Sequence, residues 1–218
     1  MVARMKTIYC ISGLGADERA FSRLKVDGYK FEYLPWLIPV ANETMEAYAH
    51  RMKENIVDEC PVLMGLSFGG MMCIEISKLV PVDKVILISS IKSSNELPSW
   101  MKAASILRLN KILPMRPYKI IEPIQNNFLG VNNAEEIEMV RNYRKNASPQ
   151  YLDWSINEVL NWRNNWQPPK LFHIHGDADK IFPINKLVPT HVIKNGGHFM
   201  IMNKAEEVNA ALKLILTA

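Results

Sequence analysis

Val62-Leu-Met-Gly-Leu-Ser-Phe-Gly-Gly-Met-Met-Cys-Ile-Glu-Ile76 places one serine between two apolar runs, with glycine two residues to either side. A loop needing only flexibility would be more polar, and a strand or helix alone would avoid glycine, which weakens the interior of either. Pro61 to Leu66 reads as a buried strand and Gly69 to Leu79 as a helix, so the serine falls at their junction. Gly65-Leu66-Ser67-Phe68-Gly69 has the form G-x-S-x-G, in which a sharp turn lifts the serine hydroxyl above the carboxyl end of a sheet. The glycines are needed there because a Cβ would collide as strand and helix close on each other. The helix amides aim at the same point and favour developing negative charge. Such a pattern arises by chance in about one chain of this length in fifteen, so its surroundings must decide. The plain alternative is a glycine-rich turn that only permits close packing.

The surroundings alternate between short β-branched runs and helical patterns. Thr7 to Ser12 reads as a buried strand ending in a glycine-rich turn, with Asp17 capping a short helix through Leu24. Phe31 to Leu37 reads as a second strand, and Asn42 or Thr44 can cap a helix in which Met45, Tyr48, Met52 and Ile56 recur at helical spacing. Lys84 to Ser90 is a fourth strand. Lys170 to Gly176 and Thr190 to Asn195 are two more, and a helix from about Ala205 to Leu216 closes the chain. Strands separated by helices predict a parallel sheet covered on both faces. Between the fourth and fifth strands, Lys92 to Pro168 breaks the alternation with helical patterns, scattered prolines and four tryptophans, Trp100, Trp154, Trp162 and Trp166. Ser148-Pro149 there is a good helix opening.

Composition sets the outer limits. A chain of 218 residues, 48% hydrophobic, suits one α/β domain able to bury its core without a disulfide. The net charge of +4 is mild and its cations are interspersed with acids, so nucleic acid is not expected as a partner. Cys10, Cys60 and Cys73 are unevenly spaced, lack a CxxC pair and lie in or beside apolar runs, which predicts buried, reduced thiols. The first apolar run is too short for a secretory leader, and no segment approaches the ~18 apolar residues of a membrane span. A soluble, cytoplasmic protein with no membrane contact is the expectation.

Serine is a poor nucleophile until a base takes its proton, and the base needs an orienting carboxylate. Both should follow later strands at the same sheet edge. His175-Gly-Asp-Ala-Asp-Lys-Ile-Phe-Pro183 follows the fifth strand directly, and Asn195-Gly-Gly-His-Phe199 the sixth, giving the chain order Ser, Asp, His.

With Gly-Leu-Ser-Phe-Gly-Gly, these segments make the chain resemble the α/β-hydrolase superfamily over nearly its whole length. The resemblance implies an α/β-hydrolase fold without its usual first two strands, leaving a mostly parallel sheet of about six with helices on both faces. It implies a core of residues 1–91 and 169–218, with 92–168 a helical lid whose Trp100, Met101, Met115, Met139 and Trp154 either line an acyl-sized pocket or glue lid helices to the core. In the family pattern H-G-x-x-D-x-x-x-P the acid maps to Asp179 rather than Asp177, and the G-G-H histidine to His198. Ser12-Gly13-Leu14-Gly15 matches the oxyanion loop, which in the family begins His-Gly, so the implied oxyanion donors are the backbone N–H groups of Leu14 and Phe68.

The expected function is a serine hydrolase cleaving an ester or related acyl bond of a small, largely apolar molecule through an acyl-enzyme on Ser67. Other chemistry on the same triad (thioester, C–C or amide cleavage) and non-catalytic ligand binding are the alternatives. No cofactor is expected. His50 and His191 have no neighbours at metal-ligand spacing, so no metal site is expected either. His173 and His175 read as structural, and Arg19 as a solvated cation, with contact to an acidic substrate as its alternative.

Overall fold

The computed structural model describes residues 5–107 and 121–217. Six strands form one sheet: β1 (Lys6–Ile11), β2 (Tyr29–Tyr33), β3 (Val62–Leu66), β4 (Lys84–Ile88), β5 (Leu171–Gly176) and β6 (His191–Ile193). Every pairing is parallel, and the order across the sheet is β2-β1-β3-β4-β5-β6. The helices are α1 (Met45–Lys53), α2 (Phe68–Ser77), α3 (Ser99–Ile106), α4 (Glu122–Leu129), α5 (Ala134–Asn146), α6 (Pro149–Asn161), α7 (Met200–Asn203) and α8 (Ala205–Thr217).

Side chains alternate across a strand, so a sheet apolar on both faces needs two separate cores. Ile8, Cys10, Met64, Leu66, Ile86, Ile88 and Ile174 pack on one face with Val208, Leu212 and Ile215 of α8. Tyr9, Ile11, Leu63, Val85 and Leu87 pack on the other, against Met45, Tyr48 and Met52 of α1 and the buried α2. The expected caps form at Thr44, which accepts from the Ala47 amide, and at Asp17, which accepts from the Arg19 amide. Asn42 instead takes a left-handed turn with φ 58.

Two expectations are corrected. The second strand stops at Tyr33 rather than Leu37. Leu34 N–H still reaches Cys10 O, but the Leu37 amide and carbonyl then both bond the Tyr48 hydroxyl, at 2.6 and 2.8 Å, which takes the chain off the sheet. Cys60 is exposed while Cys10 and Cys73 are buried; it lies in the connector between α1 and β3, which leaves the core.

Between β4 and β5 the described chain is helical and rests on both cores. On one side α6 docks against α1: Gln150 Nε2 donates to Pro39 O, Trp154 Nε1 to Glu43 O, and Met45 N–H to Glu158 Oε2. The Trp154 ring stacks on Tyr48 at 4.2 Å, so this tryptophan fastens the helix to the core. Trp162 Nε1 donates to Glu75, a carboxylate 2% exposed on α2 that Lys78 pairs at 2.7 Å. Val140 and Tyr143 of α5 join the opposite core, with Met139 packed against it. Met101 is buried, Trp100 is exposed, and Met115 lies outside the described residues.

A Cβ on Gly69 would run into the carbonyl oxygens of Ile11 and Ser12, and one on Gly65 into the backbone of Gly69. Backbone cannot swing aside as a side chain can. Gly69→Ala is therefore expected to cost about 3 kcal/mol, seen as a lower urea midpoint at unchanged m value. An unchanged midpoint would contradict this packing.

Candidate active site

In a parallel sheet all strands end on the same side, so the turns after β1, β3, β5 and β6 share one edge. Ser67 stands between the last residue of β3 and the first of α2, with φ 52 and ψ −119. Its N–H donates to Ile88 O, and its carbonyl accepts from Ser90 Oγ at 2.6 Å and from Gly70 N–H at 2.9 Å. The turn is thus held from both sides.

Ser67 Oγ lies 2.9 Å from His198 Nε2, and His198 Nδ1 lies 2.8 Å from Asp179 Oδ2. A carboxylate only accepts, so the His198 proton sits on Nδ1 and Nε2 is free to accept from the serine hydroxyl. The other oxygen, Asp179 Oδ1, accepts from the amides of Ile181 and Phe182 at 2.8 and 2.9 Å. Burial works against the charge on this carboxyl, but the His198 ring and the Phe182 amide outweigh it and hold its pKa below the ordinary range.

Asp177 has a different task. Its Oδ1 accepts from Asn195 N–H at 2.6 Å, while Asp177 N–H reaches Ile193 O and Ala178 N–H reaches Gly196 O. These bonds lace the Asp179 loop to the His198 loop. Gly176 allows it, since a Cβ there would strike the Gly196 backbone.

Gly13 lies against the serine: a Cβ on it would sit 3.4 Å from Ser67 Cβ. The Leu14 and Phe68 amides, the two implied oxyanion donors, have no hydrogen-bond partner among the described residues. Phe68 is the first residue of α2, where the helix leaves an amide unpaired. Leu152 of α6 approaches Gly15, and Gly130, past the end of α4, approaches Gly197. Phe199 N–H donates to Leu129 O, so the inserted helices touch both the turn after β1 and the loop that carries His198.

The remaining candidates fall elsewhere. His50 is exposed, and among the described residues no cluster of His, Cys, Asp and Glu could hold a metal ion. Arg19 is paired with Asp17 at 2.6 Å and lies over the Tyr143 ring. His173 and His175 are buried and bonded to each other, Nε2 to Nδ1, at 3.2 Å. The residue that sequence reasoning missed is Trp36, whose ring stacks on Phe68 at 5.0 Å and whose Nε1 reaches Ser12 Oγ. Its only signal was an aromatic residue in an apolar run, which reads equally well as strand.

No protein-family model matches the sequence, and no curated protein is a detectable relative. Among solved structures, a thermophilic esterase from Thermogutta terrifontis superposes with TM-score 0.75 at 18% identity, over 97% of this chain and 89% of that one. MenH from S. aureus gives 0.74 at 18% identity over 99% and 95%. An epoxide hydrolase from Bacillus megaterium gives 0.68 at 14% over 98% and 94%. The chain has the α/β-hydrolase fold. At such identities the likeness fixes the fold and leaves the reaction open. Among the described residues, no helix is long and apolar enough to cross a membrane.

Because the folded pKa of Asp179 is depressed, its charge stabilises the protein above the unfolded-state value of about 4 and that contribution is lost as pH falls through the folded value. Wild type is expected to lose more stability than Asp179→Asn between about pH 5 and about pH 2, measured by urea unfolding. Equal acid slopes would contradict the paired carboxylate.

Proposed function

We propose that the protein is a serine hydrolase cleaving an ester or related acyl bond of a small, largely apolar substrate. The observation that carries this reading is the unbroken line from Ser67 Oγ through His198 to Asp179, at 2.9 and 2.8 Å, beside two unpaired amides. His198 Nε2 takes the proton of Ser67 as Oγ attacks the carbonyl carbon. The carbonyl π pair moves to oxygen, and the Leu14 and Phe68 N–H groups hold that oxyanion. Collapse of the adduct breaks the bond to the leaving group, which takes the proton from His198, and leaves Ser67 acylated. Water then gives a proton to His198 and attacks the acyl carbon, and a second collapse returns the proton to Ser67 Oγ with release of the acid. Asp179 holds the imidazole tautomer throughout and stabilises the imidazolium.

No step uses a cofactor. The inserted helices are read as a lid that selects the acyl group, and the unpaired cysteines support a cytoplasmic setting. Other chemistry on the same triad, such as thioester, C–C or amide cleavage, is the second reading. The epoxide hydrolase among the similar structures favours keeping it, since one fold there serves a different bond.

Incubation with a fluorophosphonate probe, with mass spectrometry of the adduct, is expected to modify wild type stoichiometrically at Ser67 and to leave Ser67→Ala unmodified. A folded wild type that does not react would favour a ligand-binding role. Once a substrate is found in a panel of nitrophenyl esters, acyl thioesters and amides, His198→Ala and Asp179→Asn should each lower kcat by about 10⁴-fold. Losses below about tenfold would remove these residues from the mechanism.

A further inference from the structure

The oxyanion loop of this chain begins with Ser12, where the resemblance leads one to expect histidine, and Ser12 is fully buried. Its hydroxyl makes three contacts: Ala16 O at 2.7 Å, Trp36 Nε1 at 3.1 Å and Tyr33 Oη at 3.1 Å. Their directions follow from chemistry. A carbonyl only accepts, so the single Ser12 proton goes to Ala16. An indole N–H only donates, so Trp36 gives its proton to Ser12 Oγ. With its own proton used, Ser12 can only accept from Tyr33. One hydroxyl is thus saturated by three partners, one on its own turn and two, Tyr33 and Trp36, on the chain leaving β2.

Two consequences meet at the site. Ala16 also donates its N–H to Gly13 O at 3.0 Å, and Gly15 carries φ 73, so Gly13 to Ala16 is a tight turn with the Leu14 amide inside it. The Ser12–Ala16 bond ties off the end of that turn. Trp36, anchored by the same oxygen, lies nearly parallel to the Phe68 ring, with 13° between planes. Phe68 carries the second unpaired amide. The loop bearing one amide and the aromatic side chain of the residue bearing the other are therefore both referenced to Ser12 Oγ.

We propose that Ser12 and Trp36 are positioning residues that set the relative placement of the Leu14 and Phe68 amides for an oxyanion, an inference that rests on the hydrolase reading above. Neither side chain touches the reacting atoms in this account. A misplaced amide weakens the hold on the tetrahedral oxyanion more than on the uncharged carbonyl of bound substrate, so kcat suffers and KM does not.

The test compares nitrophenyl ester hydrolysis by wild type, Ser12→Ala, Trp36→Phe and the double variant. Trp36→Phe keeps an aromatic ring beside Phe68 and removes the N–H together with part of the indole's bulk. Each single change is expected to lower kcat by about tenfold while KM moves by less than about twofold. The double variant is expected to lose little more than Ser12→Ala alone, because Trp36 acts through the oxygen that this change removes. Ser12→Thr, which keeps the hydroxyl, should recover most of the kcat that Ser12→Ala loses. Folded variants with kcat within about twofold of wild type, or with KM raised at constant kcat, would overturn the proposal. So would full multiplicativity in the double variant. If Ser12→Ala does not fold, Trp36→Phe decides alone. Fluorophosphonate labelling of wild type separates the two levels: labelled wild type with unimpaired variants sinks this inference only, whereas unlabelled wild type sinks the hydrolase reading beneath it.

Discussion

The backbone of Ser67 is bent into a region that a residue with a Cβ rarely enters, and the rest of the structure is built to keep it there. A strain of this kind costs on the order of 1–3 kcal/mol and persists only where the surroundings leave no alternative. Here β3 ends at Leu66 and α2 begins at Phe68, so one residue must reverse the chain. Its N–H is tied to β4 and its carbonyl to Ser90. Gly65, Gly69 and Gly70 let strand, helix and the Ser90 side chain approach more closely than any Cβ would permit. The helix pressed into this space is buried along its whole length, including Glu75, whose charge is met by Lys78 and Trp162. Core packing and a reactive-looking hydroxyl are here two results of one constraint.

Topology brings the other groups to the same place. In the order β2-β1-β3-β4-β5-β6 the chain leaves β1 in one direction and returns to its other side with β3. The turns after those two strands diverge and open a crevice between them, where ligands of open parallel sheets bind. Leu14 and Ser67 flank that crevice. Asp179 and His198 arrive from the far half of the sheet, and because β6 is a short edge strand their loops need tying together. Asp177 supplies that tie through the Asn195 amide. An acidic residue two positions from Asp179 thus has a structural reason to be acidic.

What was legible in the sequence follows the range of the interactions. Ser67, Asp179 and His198 each lie one turn beyond an apolar run, so local pattern located them, and parallel connectivity brought them together. The choice of Asp179 over Asp177 came from resemblance; the hydrogen bonds supply its physical ground, since each carboxylate is already committed to a different partner. Strand ends were less legible. Trp36 and Leu37 are apolar enough to extend β2, but Tyr48, distant in sequence, claims the Leu37 backbone, and Ser12 claims the Trp36 indole. Competition from residues far along the chain leaves no trace in a local window. Cys60 fails for a related reason: an apolar neighbourhood in sequence says little where the chain is crossing between elements on the surface.

The surroundings of Asp179 show how a buried carboxylate can face several imidazoles and still serve one of them. His175 Nε2 is 3.5 Å from Asp179 Oδ2 but only 2.8 Å from Phe182 O, and a carbonyl accepts, so the proton stays on that nitrogen. His175 Nδ1 must then accept from His173 Nε2–H, which fixes the second tautomer as well. Burial disfavours the charged form of both rings, pushing His175 down and His173 to about 3, so neither competes as a cation for Asp179. Phe182, which lends its amide to Asp179 and its carbonyl to His175, also presents its ring edge-on to His198 at 5.7 Å. The two buried rings are bonded to Phe182 O and to each other, which leaves Asp179 Oδ2 to His198 Nδ1 and the nitrogen facing Ser67 to His198 alone among these three rings.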